Sequence, residues 1–215
     1  HRWLDGRKGS LTEDVSKELL VRYGIPVTRE GLATTPEEAG RLAKEIGYPV
    51  ALKVVSPQIL HKTEAGVVRL NVRDDRELEG AYRQLVEQAR TFDARAEIRG
   101  VLVQEMVEGA TEVILGLSYA ELFGATILFG LGGVFVEILQ DVSLRLAPVE
   151  PIEAEEMIQE IQGYAILAGA RGRPKGDLKA LVEVILKLSQ LALDLGDRVA
   201  ELDINPLMVL PEGQG

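Results

Sequence analysis

The sequence predicts an α+β fold made of two parts. In the first half, segments with helical hydrophobic spacing alternate with short apolar strands. In the second half, five short strand-like runs between residues 98 and 148 are joined by brief turns, a pattern typical of an antiparallel sheet. Two helical patterns and a final strand close the chain. Strands and helices are therefore partly segregated, as expected for α+β rather than α/β.

The composition is that of a globular protein without cysteine chemistry. Of its 215 residues, 46% are hydrophobic and 27% are charged, and the formal net charge is −10, which disfavours a nucleic-acid or anionic membrane surface. The chain has no cysteine, which excludes disulfides, thiolate metal sites and a cysteine nucleophile within it. No apolar run reaches the roughly eighteen residues of a membrane span, and the first residues lack the apolar core of a secretory signal. We therefore expect a cytoplasmic protein with no nucleic-acid and no membrane partner.

Capping signals place three helices in the first half. Ser10 and Glu13 have the spacing of a capping box. Thr35 followed by Pro36 predicts the start of a second helix, and Asp74 opens a third. The apolar faces that we expect on these helices are, in order, Val15, Leu19, Leu20 and Tyr23; Ala39, Leu42, Ala43 and Ile46; and Leu78, Ala81, Tyr82, Leu85 and Ala89.

A lysine and a histidine are the first candidates for chemistry. Lys53 lies inside the apolar strand predicted over Tyr48 to Val55, from which an ammonium group can reach nucleotide phosphates; the alternative is a lysine on a solvated strand face. The loop to the next strand contains His61 and Lys62. Imidazole titrates near neutrality and can accept a phosphoryl group, so His61 is a candidate nucleophile or acid–base group; a solvated loop residue is the alternative.

Three glycines and an arginine in the second half are candidates for binding phosphate. Gly130, Gly132 and Gly133 are predicted to lie between two strands, where glycine lets backbone N–H groups approach a phosphate; a tight hairpin is the alternative. Their spacing matches neither the Rossmann nor the P-loop pattern. Arg145 could clamp a phosphoryl or carboxylate group with two hydrogen bonds, or form a surface ion pair with Asp141.

Two segments near the predicted boundary between the two parts complete the set of nucleotide contacts. Gln104 and Glu105 end an apolar strand, and the extended backbone there can offer N–H and C=O groups to a purine edge or simply cross between the parts. Glu112 begins the next strand and is a candidate contact for a ribose or a metal, or else faces water.

The last strand carries oxygen-bearing side chains at every second position. Glu201, Asp203 and Asn205 would share one face of the strand, while Leu202 and Ile204 point to the other. Carboxylate and amide oxygens suit Mg²⁺, which is usually shared with the phosphates of a nucleotide. The alternative is the wet face of a strand that enters a proline turn. Together with the strand lysine and the glycines, these residues favour a site for a Mg-nucleotide held between two lobes.

Several of these stretches carry a family resemblance that extends from about Leu11 to Val209. The chain resembles the ATP-grasp subunit of NDP-forming acyl-CoA synthetases, that is the β subunit of ADP-forming acetyl-CoA synthetase, and more distantly the β subunit of succinyl-CoA synthetase. The matching stretches are Tyr48 to Lys53, Ser56 to Thr63, Phe129 to Glu137 with Asp141 to Ser143, and Glu201 to Leu207.

The resemblance implies an ATP-grasp fold in which two α+β subdomains grip Mg-ADP or Mg-ATP. It implies phosphate contacts from Lys53, an adenine site lined by the Gln104–Glu105 segment, and Mg²⁺ held by Asp203 and Asn205. The implied reaction is reversible and converts acyl-CoA, phosphate and ADP into carboxylate, CoA and ATP through an acyl phosphate and phosphohistidine. The histidine that matches His61 is a second phosphoryl relay, with Lys62 beside it.

The resemblance also implies a partner and a division of the chain. The partner is a CoA-binding ligase α subunit, or equivalent domains, that carries the first phosphohistidine, so the full enzyme is a hetero-oligomer. We expect residues 1–27 to form an N-terminal segment and a helix that packs on the second lobe, residues 28–98 a small lid subdomain, and residues 99–215 a large subdomain with the metal-binding strand.

One departure and two alternatives go with this interpretation. Relatives usually continue from the Asn-Pro strand into a further strand with a metal-binding Asp, whereas this sequence stops at Gly215. The first alternative is a non-catalytic regulatory ATP-grasp module of a larger acyltransferase or synthetase-like protein. The second is an amide-forming ATP-grasp ligase, in which the His61 loop has no obvious role.

Overall fold

The computed structural model describes residues 2–6, 9–59, 62, 64–133 and 140–215, except for the side chains of Arg2 and Arg171. The chain divides into two compact units. The N-terminal unit contains Gly6–Arg22 and Pro26–Val107, and the C-terminal unit contains the described residues of His1–Asp5, Tyr23–Ile25 and Glu108–Gly215. One of the five strand-like runs predicted for the second half, Val134 to Leu139, lies outside the described residues, as does the candidate His61.

The N-terminal unit is a four-stranded antiparallel sheet with helices. Its elements are α1 (Glu13–Arg22), β1 (Glu30–Ala33), α2 (Pro36–Ile46), β2 (Val50–Val55), β3 (Val68–Val72), α3 (Asp75–Phe92) and β4 (Gly100–Glu105). The strands are ordered β1-β4-β2-β3. The strands on either side of the loop that contains His61, β2 and β3, are antiparallel neighbours.

Local capping explains where two of these helices begin. The Thr35 hydroxyl accepts a hydrogen bond from the Glu38 N–H at 3.2 Å, and the Asp74 carboxylate accepts one from the Glu77 N–H at 2.8 Å. Both predicted caps are confirmed. The predicted capping box of Ser10 and Glu13 is wrong, since α1 begins at Glu13 itself and the Glu13 carboxylate binds lysine side chains instead.

The two faces of this sheet have different environments. Helices α2 and α3 cover one face, where Val50, Leu52 and Val54 of β2 join the core with all five residues predicted for the apolar face of α3. Because side chains alternate along a strand, Lys53 points to the opposite face. The core thus fixes the strand that carries the lysine.

The C-terminal unit is a second four-stranded antiparallel sheet with helices. Its elements are β5 (Thr111–Ala120), β6 (Gly124–Leu131), β7 (Val142–Leu146), α4 (Pro151–Glu160), α5 (Tyr164–Leu167), α6 (Leu178–Leu195) and β8 (Glu201–Val209). The strands are ordered β7-β6-β5-β8, which confirms the antiparallel sheet predicted for the second half. The described helices include none with the length and hydropathy of a transmembrane segment.

The division between the units differs from the expected one. Strand β4 pairs with both β1 and β2, so Gly100–Glu105 belongs to the N-terminal sheet, whereas the expected boundary lies between residues 98 and 99. Helix α1 is likewise grouped with the N-terminal unit rather than with the C-terminal one. The sequence also did not predict β1 or the single-turn helix α5.

A pair of Gly→Ala substitutions in the N-terminal unit tests this packing. At Gly100, an added Cβ would lie 2.5 Å from the Ala33 carbonyl oxygen, whereas at Gly80, on the exposed side of α3, it would meet nothing within 4 Å. We expect Gly100→Ala to lower the free energy of unfolding by about 1–3 kcal/mol, because the neighbouring backbone has to shift.

We expect Gly80→Ala, in the otherwise unchanged chain, to raise the free energy of unfolding by about 0.4–1 kcal/mol, because alanine reduces the conformational entropy of the unfolded state. Urea unfolding curves of both variants test this prediction, and we expect their m-values to equal that of the unchanged chain. Equal effects of the two substitutions would contradict the tight β1–β4 contact.

Candidate functional site

Three lysines of the N-terminal unit converge on one carboxylate. Oε1 of Glu13 accepts hydrogen bonds from Nζ of Lys53 at 2.9 Å and from Nζ of Lys17 at 3.1 Å, and Oε2 accepts one from Nζ of Lys62 at 2.7 Å. The four side chains are only 17–22% exposed. We call these four residues the Glu13 cluster. Two predicted site residues, Lys53 and Lys62, are thus brought together.

The charges of the lysines dominate the titration of Glu13. Burial by itself would raise the pKa of Glu13, but the nearby charges of Lys53, Lys62 and Lys17 outweigh it and hold this pKa well below its usual range. The carboxylate is therefore ionised throughout the neutral range. In the folded state it satisfies three ammonium groups that would otherwise repel one another in a partly buried place.

A second carboxylate, that of Glu30, connects the Glu13 cluster to Gln104, which is predicted to contact the adenine base. Oε2 of Glu30 accepts hydrogen bonds from Nζ of Lys17 at 2.5 Å and from Nε2 of Gln104 at 2.8 Å. Nε2 of Gln104 also donates to Oγ1 of Thr28 at 2.7 Å. The strand register explains this contact, because Glu30 of β1 pairs with Gln104 of β4, which on its other side pairs with Ala51 of β2. Lys53, two residues beyond Ala51, lies on the same sheet face.

Glu105 is already engaged by its neighbour Arg29. Its carboxylate accepts hydrogen bonds from the Arg29 backbone N–H and from Nε of Arg29, both at 2.7 Å. The Glu105 backbone N–H donates to the Arg29 carbonyl at 2.9 Å. That N–H group is therefore not free for a purine edge in this structure, contrary to what extended backbone at this position suggested.

The three glycines of the C-terminal unit do not form one turn. Gly130 lies within β6, where an added Cβ would come within 2.7 Å of the Asp141 carbonyl oxygen. The Gly132 N–H donates to the Glu112 carbonyl at 2.9 Å. Gly133 has a φ of 65° and lies in a turn. Gly130 and Gly132 thus allow close approach of neighbouring backbone, which explains them without a phosphate.

Arg145 is paired, but not with the residue that the sequence suggested. On β7 its guanidinium donates two hydrogen bonds to the carboxylate of Glu160 on α4, at 2.8 and 3.0 Å. Hydrogen bonds from Arg145 and Ser143 hold the pKa of Glu160 at about 2. Asp141 instead accepts hydrogen bonds from the backbone N–H groups of residues 162 and 163, so an Asp141–Arg145 pair is wrong.

The predicted metal ligands lie on β8 as expected. Glu201, Asp203 and Asn205 are exposed at alternate positions. Although the residue is exposed, partial loss of water around its carboxyl group raises the pKa of Asp203, and the charge of Glu201 raises it further. Among the residues that the structure describes, no three His, Cys, Asp or Glu side chains form a group that could hold a metal alone. Two oxygen donors fit Mg²⁺ that takes its other ligands from water and nucleotide phosphates.

Sequence reasoning missed the residues that connect the cluster. The sequence pattern places Glu13 in a cap and predicts no functional role for Lys17 or Glu30. A usable signal was present, since Glu13 and Lys17 have the i,i+4 spacing of a helical ion pair. Two open surface depressions lie elsewhere, along α3, and contain no predicted site residue; one is lined by Pro36, Tyr82, Arg83, Val86, Glu87 and Arg90.

Comparison with known proteins agrees with this architecture. Residues 2–214 match the family model of the ATP-grasp domain. The chain is 47% identical over 206 residues to the β subunit of acetate–CoA ligase [ADP-forming] II from Pyrococcus furiosus, covering 96% of this chain and 87% of that protein.

Two solved structures of dinucleotide-forming acetyl-coenzyme A synthetase 1 from Ca. Korarchaeum cryptofilum are similar over nearly the whole chain. One, in complex with coenzyme A, Ca-AMPCP and HgCl⁺, has a TM-score of 0.93 at 40% identity and covers 99% of this chain and 92% of that one. The other, with coenzyme A and Mg-AMPPCP and its phosphohistidine segment pointing towards the nucleotide binding site, has a TM-score of 0.82 at 39% identity and covers 97% and 90%.

These similarities confirm the expected α+β ATP-grasp fold. The length and identity of the match to a ligase subunit also exceed what a shared fold alone would give. The chain belongs to the ATP-grasp family, in the branch formed by the β subunits of ADP-forming acyl-CoA synthetases.

Proposed function

We propose that this chain is the nucleotide-binding, phosphoryl-transfer component of an ADP-forming acyl-CoA synthetase. The observation that carries the proposal is the shared carboxylate of Glu13, which holds Lys53 and Lys62 by hydrogen bonds of 2.9 and 2.7 Å. Lys62 directly follows His61 in the chain. The Glu13 carboxylate therefore holds Lys53, which is suited to binding phosphate, close to Lys62, the chain neighbour of the candidate phosphoryl acceptor.

The chain's own residues supply positioning and charge neutralisation, which is most of what phosphoryl transfer requires. Lys53 and Lys62 would bind phosphate oxygens, and the Gln104 strand end would contact the base. Asp203 and Asn205 would hold Mg²⁺, which neutralises charge on the phosphates when it is bound. Contacts from Glu105, Glu112, Gly130, Gly132, Gly133 and Arg145 stay predictions, and Arg145 could act on a phosphoryl group only after leaving Glu160.

His61 would act as the phosphoryl acceptor. A lone pair on its imidazole attacks the γ-phosphorus of ATP, the bond from that phosphorus to the β,γ-bridging oxygen breaks, and ADP leaves. In the reverse direction, ADP attacks the phosphohistidine and regenerates ATP. This role is consistent with the related structure in which a phosphohistidine segment points towards the nucleotide site.

The partner in this proposal is a CoA-binding subunit. The Pyrococcus relative is named as a β subunit, which implies a hetero-oligomer for that enzyme, and the Korarchaeum structures contain coenzyme A. We infer a CoA-binding α subunit, or equivalent domains, that exchanges phosphoryl groups with His61. The cytoplasmic location and the absence of nucleic-acid partners stay predictions.

An enzymatic role is favoured over a purely regulatory one. The curated relative is named as a ligase, and it shares 47% of its residues with this chain over the matched length. The chain also retains the histidine, both lysines and the oxygen ligands of β8 that turnover would need. A degenerate module would have no chemical reason to keep all of them.

Replacing the strand lysine should abolish most nucleotide affinity. We expect Lys53→Met to weaken Mg-ADP binding by about tenfold to a hundredfold, since a charge-assisted hydrogen bond contributes about 1.5–3 kcal/mol. The matched control is Lys44→Met in the same unit, because Lys44 is 64% exposed and pairs with Asp75 on the surface. Calorimetric titration with ADP and Mg²⁺ measures both, and normal binding by Lys53→Met would argue against the site.

Replacing Asp203 should have opposite effects on the stability of the metal-free chain and on its stabilisation by Mg²⁺ and ADP. Because the folded state raises its pKa, ionised Asp203 lowers folding stability above that pKa, and this penalty disappears as the pH falls below it. We therefore expect Asp203→Asn to raise the thermal midpoint of the metal-free chain slightly at pH 7. The same variant should lose the additional stabilisation by Mg²⁺ and ADP.

The pH dependence of the unchanged chain checks the same assignment. A proton competes with Mg²⁺ for Asp203, so Mg-dependent ADP affinity should begin to fall at a higher pH than it would for an ordinary aspartate. Differential scanning fluorimetry with and without Mg-ADP follows both effects. If Asp203→Asn keeps the full Mg-ADP shift, Asp203 is not a metal ligand.

Phosphorylation at His61 tests catalysis directly. After incubation with Mg-[γ-³²P]ATP and the CoA-binding partner, we expect acid-labile label on the chain that is discharged by ADP. His61→Asn should carry no such label while binding Mg-ADP normally. Equal labelling of the variant would remove His61 from the mechanism, and complete absence of transfer by the unchanged chain would favour the regulatory alternative.

A further inference from the structure

Glu13 has more partners than a residue needs to stabilise a helix. Both of its carboxylate oxygens are used, and the three ammonium groups come from the same helix, from β2 and from the loop between β2 and β3. The carboxylate thus joins α1 to β2 and to the loop that follows β2. It is the shared contact of Lys53 and Lys62 in the described part of the chain.

Further side chains fix the position of the Glu13 carboxylate through Lys17. Nζ of Lys17, one helical turn further on, bridges Oε1 of Glu13 and Oε2 of Glu30 at 3.1 and 2.5 Å. Glu30 is fixed in turn by Gln104 at 2.8 Å. This chain of contacts ties the carboxylate to two neighbouring strands, so its position is set by the sheet.

We propose that Glu13 is a positioning residue for phosphoryl transfer, which sets the spacing of the Lys53 and Lys62 ammonium groups for the phosphoryl group that passes to His61. The inference rests on the proposed function and extends it to a residue that does not itself contact the nucleotide. Lys17 and Glu30 form the brace that keeps the carboxylate in place.

The sign of the electrostatic effect separates positioning from simple binding. A carboxylate beside two lysines lowers the positive potential that a nucleotide phosphate meets, so it opposes tight binding of the ground state. Its benefit must therefore lie in geometry, because transfer requires that both ammonium groups stay aligned with the moving phosphoryl group. Removing the charge should leave binding intact or strengthen it and yet slow the chemical step.

The experiment compares binding with transfer in four versions of the complete chain, assayed with the CoA-binding partner. They are the unchanged chain, Glu13→Gln, Glu13→Asp and the control Glu18→Gln, which changes an exposed carboxylate of the same helix. Calorimetry gives the Kd for Mg-ADP, and rapid-quench labelling with Mg-[γ-³²P]ATP gives the single-turnover rate of phosphorylation at His61. Thermal midpoints verify that each version is folded.

We expect Glu13→Gln to bind Mg-ADP as tightly as the unchanged chain or up to about threefold more tightly. Its transfer rate should fall by roughly tenfold to a hundredfold, as misplacement of reacting groups does. Glu13→Asp, which keeps the charge on a shorter side chain, should recover part of the rate. Glu18→Gln should match the unchanged chain in both measurements.

Two results would overturn the inference while leaving the proposed function in place. One is a transfer rate in Glu13→Gln equal to that of Glu18→Gln. The other is a parallel loss of affinity and rate in both Glu13 variants, which would mean that the residue only supports the fold or the binding site. Failure of the unchanged chain to bind Mg-ADP would instead overturn the proposed function, and the inference with it.

Discussion

Charge balance on one face of the N-terminal sheet is the constraint on which the candidate site depends. The chain has an excess of acidic residues overall, yet three lysines meet on this face with side chains only 17–21% exposed. Grouped ammonium groups that have lost much of their water must have an anion beside them, and here the Glu13 carboxylate is that anion. The arrangement lets three cations lie close together in the folded unit, because the carboxylate offsets their mutual repulsion.

The alternation of side chains along two strands connects this site to the hydrophobic core. On β2, Leu52 and Val54 are completely buried against the helices, while Lys53 between them points the other way. On β4, Val103 lies in the core and Gln104 on the opposite face. Side chains in a close-packed core resist displacement. The packing of the apolar face therefore also fixes the backbone that carries the polar face. Functional groups placed on packed strands are held more precisely than those on loops.

The sequence predicted those features that arise from neighbouring residues. The caps at Thr35 and Asp74, the buried face of α3 and the alternation along β8 all depend on residues within a few positions of one another. The Glu13 cluster could not be found in this way, because Glu13 lies 40 residues from Lys53 and 49 from Lys62. Glycine allows either a neighbouring strand or a phosphate to come close to the backbone. The sequence alone therefore did not show which of the two explains Gly130 and Gly132. Strand β1 escaped prediction because it has only four residues, one of them glycine.

The two carboxylates with the most informative pKa shifts are perturbed in opposite directions. Three lysines hold the pKa of Glu13 down, whereas burial and the charge of Glu201 raise that of Asp203. Glu13 is thus surrounded by cations, whereas the charged group that acts on Asp203 is another carboxylate, that of Glu201. Under the proposed function, phosphate groups would complement the lysines and Mg²⁺ would complement the carboxylate. Each shift arises from contacts inside its own unit, and its direction follows from those contacts. The lysines hold Glu13 as an anion, whereas the ionised form of Asp203 is disfavoured and would be stabilised by any cation that bound there.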